Sequence, residues 1–203
     1  QELADLAKEG VFVYGGRTSE AKQNFTSGEC GILTESSGGL GDVIKSGMNY
    51  GIGKLPYDET AEGAPQNTTP GGASLWVMGG KKPDEYKGVA KFFTYLSSPE
   101  VQADWHQFSG YLPITRAAED LTRQQGFYEK NPGSDVGIRQ ITLNEPTENS
   151  KGLRFGNYVQ IRAIEDEELE QVWSGKKTPQ EALQNIVKRG NEQLERFQKA
   201  NRG

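Results

Sequence analysis

Residues 30–43, CGILTESSGGLGDV, constrain the chain more than any other stretch. Gly31, Ile32, Leu33 and Thr34 tolerate a β conformation and run into Glu35-Ser36-Ser37-Gly38-Gly39, after which residues 40–45 read as a helix. A strand that stops at a Ser/Gly turn and feeds a helix leaves N–H groups and hydroxyls pointing outward, with the positive end of the helix at the same spot. Such a turn can hold an anion. It can equally be an ordinary β–α connection whose glycines only allow a tight turn. The residues of this stretch alone leave both readings open.

Around it the chain alternates short extended patterns with helical ones. Leu3 and Leu6 sit three apart before Gly10, which ends a helix. A helix over 19–27 presents Ala21 and Phe25 four apart. Residues 49–55 alternate loosely (Tyr50, Ile52, Leu55) and stop at Pro56, so a strand is expected there. Residues 57–70 are polar and turn-rich. Gly71-Gly72 then introduces a compact strand over 73–78, and glycines before a strand let a ligand or another segment approach the backbone closely.

The second half of the chain is helical. A helix over 84–96 carries Tyr86, Val89, Phe93 and Leu96 at helical spacing. Ser98-Pro99 opens another, with Val101, Trp105 and Phe108 expected on its inward face and Gly110 at its end. Trp105 is expected in the core, with His106 half-exposed. Residues 111–115 form an extended elbow, and Thr115 caps a helix that Gly126 stops. Residues 127–132 look irregular, and a helix is expected over 135–143. Two strong helices close the chain. One, over 157–174, carries Tyr158, Ile161, Ile164, Leu169 and Val172. The other follows the capping box Thr178-Pro179-Gln180-Glu181 and is expected to bury Leu183, Ile186, Val187, Gly190, Leu194 and Phe197.

Composition excludes several functions. A net charge of −5 offers no broad basic face to track nucleic-acid phosphates. There is no apolar run of the roughly 18 residues that a membrane span needs. Gln1 opens directly into a helical pattern, so no signal peptide is expected within these residues. With one cysteine (Cys30) and one histidine (His106), neither a Cys/His zinc site nor an internal disulfide is available. Neither a nucleotide-binding glycine loop nor a Gly-x-Ser-x-Gly elbow occurs, so no cofactor and no catalytic residue is expected. Paired carboxylates for hydrolysis stay open, because their spacing is spatial.

Arg162 lies in the second turn of its helix, where the macrodipole makes a cation slightly unfavourable. An ion pair with Asp166 or Glu165 accounts for it. So does a planar fork aimed at an anionic ligand, and Arg154 competes for that role. The run Glu165-Asp166-Glu167-Glu168 reads as a solvated face, since adjacent residues cannot all converge on one ion.

Several segments together resemble a known family. They are NFTSGECGILTESSG, NYGIGKLPYD, APQNTTPGGASLWVM, GVAKFF, WHQFSGYLPIT, DLTRQQGFYEKNPG, KGLRFGNYVQIR and DEELEQVWSGKKTPQEAL. In this order they cover nearly all of the chain from Asn24 onward. They resemble the C-terminal half of the periplasmic solute-binding proteins of bacterial ABC uptake systems, in the glycerol-3-phosphate branch. NYGIGKLP is shared more widely with the maltose-type members. The turn glycines Gly39 and Gly41, and one residue fewer before Asn49, depart from that pattern.

The resemblance implies an α/β, periplasmic-binding-protein-like fold of two lobes closing on the ligand like a hinge. Residues 1–48 would belong to the second lobe, 49–110 to the first and 111–203 to the second again. Matched position by position, it puts Ser36, Gly72, Tyr111 and Arg162 at the ligand. Two hydroxyls, a backbone N–H and a guanidinium suit a phosphate dianion. The implied ligand is sn-glycerol-3-phosphate or a glycerophosphodiester such as glycerophosphocholine. The implied partners are the membrane permease subunits and the N-terminal half of the same protein, in the periplasm. A hydrolase acting on a carbohydrate or phosphate ester is the alternative.

Overall fold

The computed structural model describes residues 1–202. Its helices, in chain order, are α1 (Glu2–Lys8), α2 (Lys22–Thr26), α3 (Leu40–Lys45), α4 (Pro83–Leu96), α5 (Pro99–Ser109), α6 (Arg116–Gln124), α7 (Phe127–Lys130), α8 (Val136–Ile141), α9 (Tyr158–Trp173) and α10 (Pro179–Ala200). Short 3₁₀ turns occupy Ser37–Gly39 and Glu148–Lys151. The chain divides into two compact units. One joins residues 1–33 to the chain from Leu153 onward, and the other is 34–152.

In the first unit α9 and α10 form an antiparallel pair with α1 packed on α9. Asn157, in the left-handed region at φ 53°, turns the chain into α9. Thr178 accepts a hydrogen bond from the Glu181 N–H while the Glu181 carboxylate accepts from the Thr178 N–H and hydroxyl, so the expected capping box is present. A small core gathers Ala4, Val172 and Ala182 under Trp173, whose ring also packs on Phe12 at 5.1 Å. The apolar stripe of α10 is less buried than its spacing suggests. Ala182 and Gly190 are buried, whereas Leu183 and Val187 are exposed. Periodicity marks a face but not how much of it is covered, and here the small residues make the close contact.

The acidic run is not a solvated face. Glu168 is buried, and its carboxylate accepts hydrogen bonds from Lys177, from Asn185 Nδ2 at 3.2 Å and from Arg189 Nη1 at 2.9 Å. These partners, together with the Arg189–Glu167 ion pair at 2.6 Å, tie α9 to α10 and to the loop between them. The bond from Lys177, followed by those from Asn185 and Arg189, holds the Glu168 carboxyl at about 2 despite its burial. Two residues on, Glu170 receives Arg17 through both carboxylate oxygens, at 2.7 and 2.6 Å, and the Tyr14 hydroxyl at 2.9 Å. Its carboxyl is also held at about 2.

The chain runs against the expected fold class at its extended segments, most of which fall in the second unit. Among the described residues no β-strand forms, so the stretches beginning at Cys30, Asn49 and Ala73 are corrected from strand to unpaired extended chain. A strand needs a neighbour to satisfy its N–H and C=O groups, and among the described residues no backbone hydrogen bonds join these segments to one another. The Leu55 N–H donates instead to the Gln140 side chain at 3.0 Å, which ties this segment to α8. Leu75–Met78 lies along α4, lining a shallow apolar groove with Val89, Phe92 and Phe93. Trp76 is 88% exposed and Met78 73%.

Two helix expectations change as well. Residues 127–130 form the short helix α7 rather than an irregular stretch. On α5 the expected inward face is turned out: Trp105 is 56% exposed and Phe108 83%, while His106 is 2% exposed. α5 packs on α6, and the residues the two helices bury are Ala103, His106, Ala118 and Thr122. Small side chains allow the helices to approach closely, and this outweighs the area offered by the aromatic ridge.

Candidate ligand-binding site

Three of the four expected ligand residues lie in the second unit, around one tyrosine ring. Gly110 ends α5 in the left-handed region at φ 76°, which turns the chain back and throws Tyr111 out of the helix. A side chain there would be doubly excluded, because a Cβ on Gly110 would sit 2.5 Å from the Ser37 carbonyl oxygen. The elbow therefore rests directly on the Ser/Gly turn. A Cβ at Gly38 would lie 3.1 Å from the Tyr111 ring edge, and one at Gly72 (φ 125°) would lie 3.8 Å from the opposite edge. Bare backbone thus flanks the ring on two sides.

Ser36, Gly72 and Tyr111 each bring a group that can donate to this place, beside the Glu35 carboxylate. Ser36 N-caps the 3₁₀ turn, its Oγ accepting from the Gly38 N–H at 3.3 Å, which leaves the hydroxyl proton free to point outward. The Ser36 N–H is taken by Glu35 at 2.7 Å. Tyr111 is 47% exposed, and among the described residues nothing is hydrogen-bonded to its phenol oxygen or to the Gly72 N–H. Ser36, Gly72 and Tyr111 therefore offer two hydroxyls and one amide to the same neighbourhood.

Arg162 belongs to the first unit. It is exposed on α9, with its guanidinium 5.9 Å from the centre of the Tyr158 ring. Among the described residues no ion pair joins it to Glu165 or Asp166, so the intrahelical account of its charge fails. Arg154 lies in the coil before α9 and is exposed too.

The residues that sequence reasoning missed lie behind Tyr111. His106 Nδ1 is 2.7 Å from the Tyr111 carbonyl oxygen, and its Nε2 is 3.1 Å from the Tyr128 hydroxyl. A carbonyl can only accept, so Nδ1 carries the proton and Nε2 accepts from Tyr128. Burial lowers the His106 pKa, against the opposing pull of the Tyr111 carbonyl and of the Glu119 charge. Burial likewise pushes Tyr128 up to about 12. The available signal was a histidine in the last turn of a helix that ends in glycine, since a left-handed C′ residue returns the next peptide toward that turn.

Among the described residues no cluster of His, Cys, Asp and Glu could hold a metal ion, and no helix is long and apolar enough to cross a membrane. Residues 1–134 match the family of bacterial extracellular solute-binding proteins, and the chain belongs to that family. Its helix-rich architecture fits a periplasmic-binding-like fold.

Within the family it is similar to proteins named sn-glycerol-3-phosphate-binding periplasmic protein UgpB. The one from Rhizobium meliloti (strain 1021) is 61% identical over 94% of this chain and 44% of its own length. The one from Brucella abortus (strain 2308) is 60% identical over the same shares. The one from Yersinia enterocolitica (serotype O:8 / biotype 1B) is 55% identical over the whole chain and 46% of its own length. The chain thus spans a little under half the length of these relatives.

Proposed function

We propose that this chain is part of a periplasmic binding protein that captures sn-glycerol-3-phosphate, or a glycerophosphodiester, and delivers it to the permease of an ABC importer. The observation that carries the reading is the gathering of Ser36, Gly72 and the free Tyr111 phenol at one place, where each can donate, in a chain whose relatives are named for that ligand. A phosphate dianion accepts and does not donate, so hydroxyl and amide donors complement it. Arg162 supplies the countercharge, a role that its planar fork fills better than a lysine would. In the complete protein the extended segments of the second unit pair as strands of an α/β fold, against residues this chain does not contain. Residues 1–48 and 111–203 then belong to one lobe and 49–110 to the other, and the rest of the protein supplies contacts to the glycerol end.

The binding reading is favoured over hydrolysis by the use of the one histidine. Both ring nitrogens of His106 are spent inside the fold, so it cannot serve a nucleophile as base. Calorimetric titration of the full-length protein with sn-glycerol-3-phosphate tests the assignment. Arg162→Ala is expected to weaken binding by about 10- to 100-fold, since hydrogen bonds to charged groups are worth ~1.5–3 kcal/mol. Arg154→Ala should cost much less, and Tyr111→Phe should lower affinity by removing the donor alone. Equal, small losses for both arginines, or ligand recovered chemically changed, would overturn the reading. Parallel titration with glycerophosphocholine decides between monoester and diester.

A further inference from the structure

We propose that His106 is a positioning residue for the ligand-facing Tyr111: it fixes the pose of the phenol by donating from Nδ1 to the Tyr111 main-chain carbonyl. The inference rests on the binding role of Tyr111 given above. The Tyr111 peptide is gripped from both ends. Its N–H donates to Ser109 Oγ at 3.2 Å, and that hydroxyl donates in turn to the Trp105 carbonyl at 2.5 Å. Its C=O accepts from His106 at 2.7 Å. No other side-chain donor in the described structure reaches that carbonyl, and the following Leu112-Pro113 continues the chain in the elbow.

His106 itself cannot swing away. It is 2% exposed, with Phe127 edge-on at 5.8 Å and Tyr128 at 5.7 Å between ring centres. The Tyr128 hydroxyl fills the remaining ring nitrogen, so the buried imidazole has both hydrogen bonds it needs and a single tautomer. A histidine kept only to fill space would not need that arrangement, since an apolar side chain fills space without the cost of burying two polar nitrogens. In front, Gly38 and Gly72 limit where the ring can go. With the peptide fixed behind and bare backbone on either side, little freedom is left to the phenol, and a preorganised donor binds more tightly than a mobile one.

Asparagine and glutamine separate positioning from packing, because the amide nitrogen of asparagine falls near Nδ1 of histidine and that of glutamine near Nε2. In the full-length protein, His106→Leu is expected to weaken sn-glycerol-3-phosphate binding by about tenfold, the scale of one lost hydrogen bond. His106→Asn should recover most of that loss and His106→Gln should not, although the two lower the thermal unfolding midpoint similarly. Equal affinities for the two amide variants, or full affinity in a folded His106→Leu protein, would overturn the proposal. Tyr128→Phe keeps His106 and should cost only two- to threefold in affinity. A loss as large as that of His106→Leu would show that the whole cluster is merely structural. A readout independent of ligand is the Tyr111 signal in ¹³C-tyrosine-labelled protein, assigned by Tyr111→Phe. It should move in His106→Leu and return in His106→Asn, and an unmoved signal would overturn the proposal. If the unaltered protein failed to bind the phosphate ester, the functional reading would fall while this signal still decided the role of His106.

Discussion

Among the described residues each unit buries one titratable side chain against its packing helices, and the two are satisfied in opposite ways. In the first unit the Glu168 carboxylate is met by Lys177, Asn185 and Arg189, all of them side chains and two of them charged. In the second the neutral His106 imidazole is met by a phenol and by a main-chain carbonyl. The first arrangement locks α9 to α10 and ends there. The second ends on the backbone of an elbow whose side chain is exposed. A charge cluster closed on itself does structural work, whereas a neutral one tied to the main chain passes its rigidity to a neighbouring residue.

The comparison breaks most visibly at Gly110. Gly110→Ala places a Cβ against the Ser37 carbonyl oxygen in a left-handed residue, so a loss of about 3 kcal/mol is expected from strain and clash together. Thermal unfolding measures that loss, and titration should show weaker ligand binding alongside it. A variant as stable as the parent would mean that the elbow does not rest on the turn.

Glu168→Gln sharpens the other side. It keeps the shape and removes the charge, and a loss of about 2 kcal/mol is expected, the worth of hydrogen bonds to a charged group. Lys177 and Arg189 are 31% and 39% exposed, which keeps the figure below that of a fully enclosed pair. Ligand affinity should be unchanged.

The pH dependence has a definite sign. The folded Glu168 and Glu170 carboxyls lie at about 2 against an ordinary 4.5, so their stabilisation is full above 4.5 and is lost as pH falls toward 2. The lowered His106 acts in the same direction from a higher start, its contribution fading as pH falls below 6.5. Amide hydrogen exchange along an acid series should therefore loosen the second unit before the first, and the reverse order would refute the contrast.

The smallest effect is at two helix caps of the same type. Thr178→Ala and Thr115→Ala should each cost about 1 kcal/mol in denaturant unfolding. The first should cost more, because the Glu181 carboxylate also loses the Thr178 hydroxyl.

Helix ends were readable because their signals are local: Pro99, Thr115, Gly126 and the Thr178 box mark boundaries that the structure keeps. What covers a helix face is not local. Val101, Trp105 and Phe108 are correctly spaced for a buried stripe, yet α6 packs on the side that carries Ala103 and His106. Glu168 was hidden for the same reason, since its partners lie 9 to 21 positions further along. The extended segments were legible as β-capable sequence, but a strand also needs a neighbour. Of the residues proposed for the site, the Ser/Gly turn was marked by its own composition and Gly72 and Tyr111 by the family resemblance, while the histidine behind the tyrosine was marked by neither.

The seating of the Tyr111 ring between bare backbone positions implies a specific pattern of epistasis. Gly38, Gly72 and Gly110 should all refuse a side chain, though not for one reason. At Gly38 the obstacle is the ring itself, and the backbone carries no positive φ; at Gly72 the backbone is left-handed, and at Gly110 the obstacle is another stretch of main chain. In a library that also varies position 111, substitutions at 38 become permissible whenever the tyrosine is replaced by something small. Those at 72 and 110 stay forbidden in every background. A lineage that exchanged the tyrosine for a smaller residue would thus free the turn to drift and could not readily regain the ring afterwards.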